Sequence, residues 1–177
     1  MAAVVSRMSD GSAASNDEST GSLSRGIDLR NNRRPAVLGF LGGLIATCTL
    51  TVFRLPVSRS LPPTANFWAE YVAGGDLSEY SEEAMLLHLL YGALGGSLFA
   101  VLFSKFDELS PVPTELNGVL FGALTSIPFS LFGTNVVLSR ILGMEMDDNE
   151  VMIFHVGHIV WGLSIGAWVG SRMNQNE

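Results

Sequence analysis

The sequence predicts an all-α polytopic membrane protein, a bundle of four transmembrane helices built as two duplicated helical hairpins. Three observations predict it. Only 15% of the 177 residues are charged, against about 25% in soluble domains, and mean hydropathy is +0.34. Four apolar runs, at residues 36–53, 84–103, 116–138 and 151–169, approach the roughly 20 residues that a helix needs to cross a bilayer's hydrocarbon. Along each run small residues recur every fourth position, which lets helix backbones approach where lipid gives no hydrophobic drive to association.

Residues 1–34 are rich in Ser, Gly, Asp and Asn. They have too little apolar surface to offset the entropy of ordering and read as a disordered cytoplasmic tail. The membrane domain is expected to occupy 35–177. No apolar segment opens the chain as a cleavable signal, so the first run is expected to be a retained anchor. That run, 36–53, starts after Pro35, ends at Arg54, and carries Gly39, Gly43, Thr47 and Thr51 at four-residue spacing.

The connection 54–83 contains Pro62-Pro63, Thr64 as a candidate cap, and Gly74-Gly75 as a stop. Ala65, Trp68, Tyr71 and Val72 fall on one helical face, and Trp and Tyr favour the headgroup zone. The stretch therefore reads as a short interfacial helix, the other reading being a loop folded over the bundle mouth.

The second run, 84–103, has Ser81 as its expected N-cap and Glu82 and Glu83 at the positive end of the helix dipole. A short turn ending at Thr114, another expected cap, leads to the third run, 116–138. There Pro128 frees the carbonyl of Leu124, which Thr125 or Ser126 is placed to satisfy. Its ridge is Gly118, Gly122, Ser126, Ser130 and Thr134, with Asn135 near the exit. Asp147 and Glu150 have the spacing of a capping box for the fourth run.

The first and third runs share Gly-x-x-x-Gly (Gly39 and Gly43, Gly118 and Gly122). The second and fourth share His-x-x-aromatic-Gly-x-x-x-Gly, as His88, Gly92, Gly96 and His158, Gly162, Gly166, the fourth continuing to Gly170. Val57-Ser58-Arg59 echoes Leu138-Ser139-Arg140. This pattern describes two hairpins in one orientation, a parallel repeat. With the N-terminus inside, Arg30, Arg33, Arg34, Lys105 and Arg172 fall on the cytoplasmic side and only Arg54, Arg59 and Arg140 outside. The positive-inside rule then predicts cytoplasmic termini in the cell membrane. Nine carboxylates in the outer loops leave that side with a net charge of −6, which gathers cations without selecting one.

Function is written less clearly. One cysteine, Cys48, excludes an internal disulfide and a multi-Cys metal cage, and reads as a small packing residue. No basic patch marks a nucleic-acid site. There is no HExxH, Gly-x-Ser-x-Gly, phosphate-binding loop or carboxylate pair within a span, so the chain reads as non-enzymatic.

His88, His155 and His158 lie toward one membrane face, and ionisable residues at such depth are functional candidates. The leading expectation is a structural or interaction component without cofactor. Its partners are the bilayer and, through the ridges, a second copy or another membrane protein. A second reading is a proton or small-solute pathway using the histidines with Asn135 and the outer carboxylates, beside an outer-side polar cluster of Arg54 and Asn135. A third is a haem or transition metal held by His88, His155 and His158, since imidazole suits iron, zinc and copper.

The segments RLPVSRSLPPTANFWAEYV, GFLGGLIATCTLTVF and LLHLLYGALGG resemble a family of small uncharacterised integral membrane proteins of haloarchaea, with Leu-Pro-Pro-Thr-Ala the most specific part. The resemblance implies a cell-membrane location and a salt-loving source. It implies no activity and no site residues.

Overall fold

The structure, a computed structural model, describes residues 33–57 and 61–174. The tail expected over the first 34 residues therefore falls outside the described residues, apart from Arg33 and Arg34, as do Arg30, Ser58 and Arg59. The fold is an all-α four-helix bundle. Four helices are long and apolar enough to span a membrane, and among the described residues there is no strand.

α1 (Arg33–Arg54) has 22 residues, about 33 Å at 1.5 Å per residue. The short α2 (Thr64–Trp68) continues through a π turn, Ala69–Ala73, and stops where Gly74 takes φ 71°. A 3-10 turn, Leu77–Tyr80, runs directly into α3 (Ser81–Asp107). α4 (Thr114–Phe132) passes into a wide π segment, Gly133–Ile141, and α5 (Asp148–Asn174) closes the chain. Each spanning helix, α4 taken together with its π segment, extends beyond the apolar run that marks it.

The expected caps fare unevenly. Asp147 and Glu150 form the capping box: the Glu150 amide donates to Asp147 Oδ1 at 2.9 Å and the Asp147 amide donates to Glu150 Oε2 at 3.2 Å. Ser81, Thr64 and Thr114 are the first residues of their helices, not caps. Asp76 caps the 3-10 turn that leads into α3, its carboxylate accepting from the Ser78 amide at 2.8 Å, and α3 itself has no side-chain cap. Thr64 instead donates to the Ala84 carbonyl at 2.7 Å and fastens α2 onto α3. At Pro128 the neighbouring hydroxyls pass over Leu124: Thr125 donates to Phe121 and Ser126 to Ala123.

The bundle is two close pairs. α1 meets α3 where Gly39 and Gly43 face Gly96 and Gly92; α4 meets α5 where Gly118 and Gly122 face Gly166 and Gly162, and Gly170 approaches the backbone of Thr114 and Glu115. A Cβ on Gly43 would strike the Gly92 carbonyl oxygen, and one on Gly122 the Gly162 carbonyl oxygen. Large apolar side chains such as Leu86, Leu94, Leu98, Leu120 and Leu124 face outward, the reverse of a water-soluble bundle. Cys48 is exposed on the outside of α1 and takes no part in interior packing.

The pairs join along α1 and α5. Gly42 gives room to the Trp168 ring and Gly157 to Leu50, while Ala46, Ile165 and Val169 are fully buried. On the opposite side α3 and α4 are wedged apart by phenylalanines. Phe121 stands 5.3 Å from Phe99 and 4.9 Å from Phe106 between ring centroids. At that end, beside the 108–113 turn, Asn117 is buried and donates to the Asp107 carboxylate.

These contacts separate two adjacent glycines of α3. A Cβ on Gly96 would meet Gly43 Cα at 2.6 Å, whereas one on Gly95 would meet only Trp161 at 3.8 Å. Gly96→Ala is expected to lower stability by about 2 kcal/mol, the cost of overpacking a close contact. Gly95→Ala is expected to leave it within about 0.5 kcal/mol. Denaturation of the detergent-solubilised variants checks both.

Candidate functional site: a cavity beneath the loop end

Opposite the turn, the long connection folds over the bundle. Tyr71 Oη donates to the Ile141 carbonyl at 2.6 Å, and the Asn66 amide donates to Met144 Sδ at 2.9 Å. The short α2 and the π turn after it thus form a cover tied to both hairpins, which is the second of the two readings of this stretch. Tyr71 and Val72 remain exposed on it while Ala65 is buried.

Beneath the cover lies a cavity of about 510 Å³, walled by the end of α1, the cover, the first turns of α3 and the start of α5. A second cavity of about 330 Å³ adjoins it where α3 and α4 diverge. Leu50, Pro63, His88, Phe154 and His158 belong to both walls, so the two histidines stand at the junction. The deeper cavity reaches Thr47, Gly92 and Trp161.

Those three residues close it. Trp161 Nε1 donates to Thr47 Oγ1 at 3.1 Å, and Thr47 donates onward to the Gly43 carbonyl at 2.7 Å. Gly92 leaves the space that the Thr47 hydroxyl fills. One buried hydroxyl therefore links α1, α3 and α5. Beyond it lie the glycine contacts and the phenylalanine cluster.

The histidine tautomers follow from their partners. His158 Nδ1 lies 2.9 Å from the Phe154 carbonyl, which can only accept, so Nδ1 carries the proton and Nε2 keeps its lone pair. Phe154 also packs against His158 with ring centroids 4.2 Å apart and planes tilted by 36°, and Gly133 gives the phenyl ring its space. His88 enters the same wall from α3, within electrostatic reach of Arg54 and His158.

His155 does not join them. Its Nδ1 lies 2.9 Å from Ser130 Oγ, whose proton goes to the Ile127 carbonyl, so His155 donates and ties α5 to α4. The three histidines expected to act as one set are therefore two at the cavity and one between helices. Among the described residues, no three of His, Cys, Asp and Glu gather to hold a metal ion. Arg54 does line the larger cavity, with Glu150 in electrostatic reach. Asn135 does not: it is exposed and donates to the Leu131 carbonyl of its own helix at 2.8 Å.

Residues that pattern reading missed are Thr47 as a cross-helix acceptor and Met85, Met144 and Met146 in the cavity wall. Four-residue spacing marked Thr47 only as small. No local signal marks methionines from separate segments as lining one cavity.

The fold and its apolar exterior define a multi-pass membrane protein with a cavity at one end of the bundle. The chain matches no protein-family model, no curated protein and no solved structure.

Two outcomes follow from this geometry. Thr47→Val would leave the Trp161 N–H without an acceptor and is expected to cost about 1–3 kcal/mol, while Thr47→Ser stays near wild type; unfolding midpoints decide. Asp76 has a lowered pKa because it accepts from the Ser78 amide and then from the Ser78 hydroxyl. A depressed folded pKa contributes stability above the unfolded value and loses it as pH falls through the folded one. The turn before α3 should therefore hold at neutral and mildly acidic pH and loosen only below the usual carboxylate range, as read from exchange of the Ser78 amide.

Proposed function

We propose that this chain is a non-enzymatic membrane component whose rigid bundle walls a blind vestibule for a small solute. The supporting observation is the pair of adjoining cavities that share His88 and His158 and end against Thr47, Gly92 and Trp161. A scaffold alone needs no cavity of about 510 Å³, because interiors close-pack wherever packing is the only requirement. A continuous pathway would need an opening where α1 and α3 bring Gly43 against Gly92. The vestibule reading thus keeps the histidines of the solute reading and drops passage.

The ridge glycines face one another within the chain, which argues against a second copy docking on them. The two pairs also match in register. Gly39 against Gly96 corresponds to Gly118 against Gly166, and Gly43 against Gly92 to Gly122 against Gly162. This correspondence supports duplication of one hairpin. Orientation rests on charge: Arg33, Arg34, Lys105 and Arg172 stand at the turn end, and the cover end is acidic. Both termini are then cytoplasmic in the cell membrane and the vestibule faces outward.

Accessibility tests the reading. In a Cys48→Ala background, a membrane-impermeant thiol reagent applied outside intact cells should label Leu50→Cys in the cavity wall and leave Ala93→Cys, buried in the bundle, unlabelled. Silence at Leu50→Cys would overturn the outward vestibule.

A further inference from the structure

The donor chemistry of the vestibule narrows its occupant, and the narrowing rests on the vestibule reading. We infer that the larger cavity is a site for a soft monovalent metal ion, Cu(I) or its surrogate Ag(I), held by methionine thioethers and the two histidines.

Three of the chain's seven methionines, Met85, Met144 and Met146, line this one cavity, together with His88 and His158. Met85 and His88 are three residues apart on α3, so one helical face carries both. His158 arrives from α5 with Nδ1 already donating to the Phe154 carbonyl. A backbone carbonyl on the second nitrogen is the arrangement that fixes ring orientation and presents the other nitrogen to a metal. Met144 is placed by the Asn66 amide, which donates to its sulfur and ties the segment before α5 to the cover.

Methionine is often a gap filler in apolar cores. Here three methionines line an open cavity instead of a packed core, and two histidines share its wall. Thioether sulfur selects Cu(I) among biological metals, and imidazole also suits copper. Hard divalent ions require oxygen donors in number; the carboxylates in this wall are Asp76 and Glu150. With Arg54 in the same wall, the charged lining sums to one net negative charge. A monovalent cation matches that charge. The outer connections bring further carboxylates that raise the local cation concentration without choosing among cations. Selection then falls to the sulfur atoms. Binding involves no change of oxidation state.

Competition for Cu(I) against the coloured bicinchoninate complex tests this, using the full chain in detergent with Cys48→Ala, because the exposed thiol would itself take Cu(I). The protein should withdraw one Cu(I) per chain. Met85→Leu with Met146→Leu, which conserves volume, should weaken binding by at least about ten-fold, as should His158→Gln. Met152→Leu, on the outward face of α5, should bind as before. Excess Zn(II) should not displace the ion. No withdrawal, full binding by the Met85/Met146 variant, or displacement by Zn(II) would each overturn the inference. Labelled Leu50→Cys without copper uptake leaves the vestibule standing and removes only its metal; an unlabelled Leu50→Cys removes the vestibule itself.

Discussion

Where Gly43 meets Gly92, and again where Gly122 meets Gly162, there is no room for a methyl group between two helix backbones. In lipid, apolar side chains gain little by leaving one hydrocarbon environment for another, so the distance of backbone approach decides how strongly two helices associate. Removing side chains at four-residue intervals brings whole helix faces into contact. The hydroxyls along these ridges remain compatible with burial because each is returned to its own helix: Thr47 donates to the Gly43 carbonyl and Ser126 to the Ala123 carbonyl. A buried hydroxyl without such a partner would cost several kcal/mol of desolvation.

Close approach inside each pair has a consequence between the pairs. α1 and α5 adjoin along small residues and tryptophans, but α3 and α4 carry the bulk, with Phe99, Phe103, Phe106 and Phe121 clustered between them. The phenylalanines fill only the half near the 108–113 turn. Toward the other end the same divergence is unfilled, and a cavity of about 330 Å³ results. The π segment Gly133–Ile141 belongs to this divergence: Gly133 admits Phe154, which carries His158 on its face. Tight packing at one end and open space at the other are thus two results of one arrangement of large and small side chains.

Local pattern made much of this legible. Four spans follow from hydropathy. The residues at which helices touch follow from spacing, since Gly39, Gly43, Gly92 and Gly96 are the points of contact. The Asp147–Glu150 box was legible because a capping box depends on residues three apart. Ser81, Thr64 and Thr114 misled for the complementary reason: a hydroxyl beside a helix start does not say which backbone group lies nearest. For Thr64 that group is the carbonyl of Ala84 on another helix. The three histidines were legible as a set by depth alone. Depth says nothing about azimuth, and a rotation of about 60° between positions three apart sends His155 to Ser130 and leaves His158 at the cavity. The methionines were illegible, because Met85 on α3 and Met146 before α5 come to line one cavity only in the folded bundle.

The cover explains why the two ends differ. The turn between α3 and α4 spans 108–113, enough to join adjacent antiparallel helices and no more. The connection from α1 to α3 is far longer, and over its described residues from 61 onward a proline pair, a short helix and two positive-φ glycines set its course. Tyr71 and Asn66 reach from it to the segment after α4, so the first hairpin's loop is bonded to the second hairpin's exit. A loop that only joined helices would need neither bond. Each tether crosses from one hairpin to the other, and Asn66 and Met144 also belong to the wall of the large cavity that His88 and His158 line. The bundle's rigidity comes from its glycines, while the volume and chemistry of its open end are set by the loops that close over it.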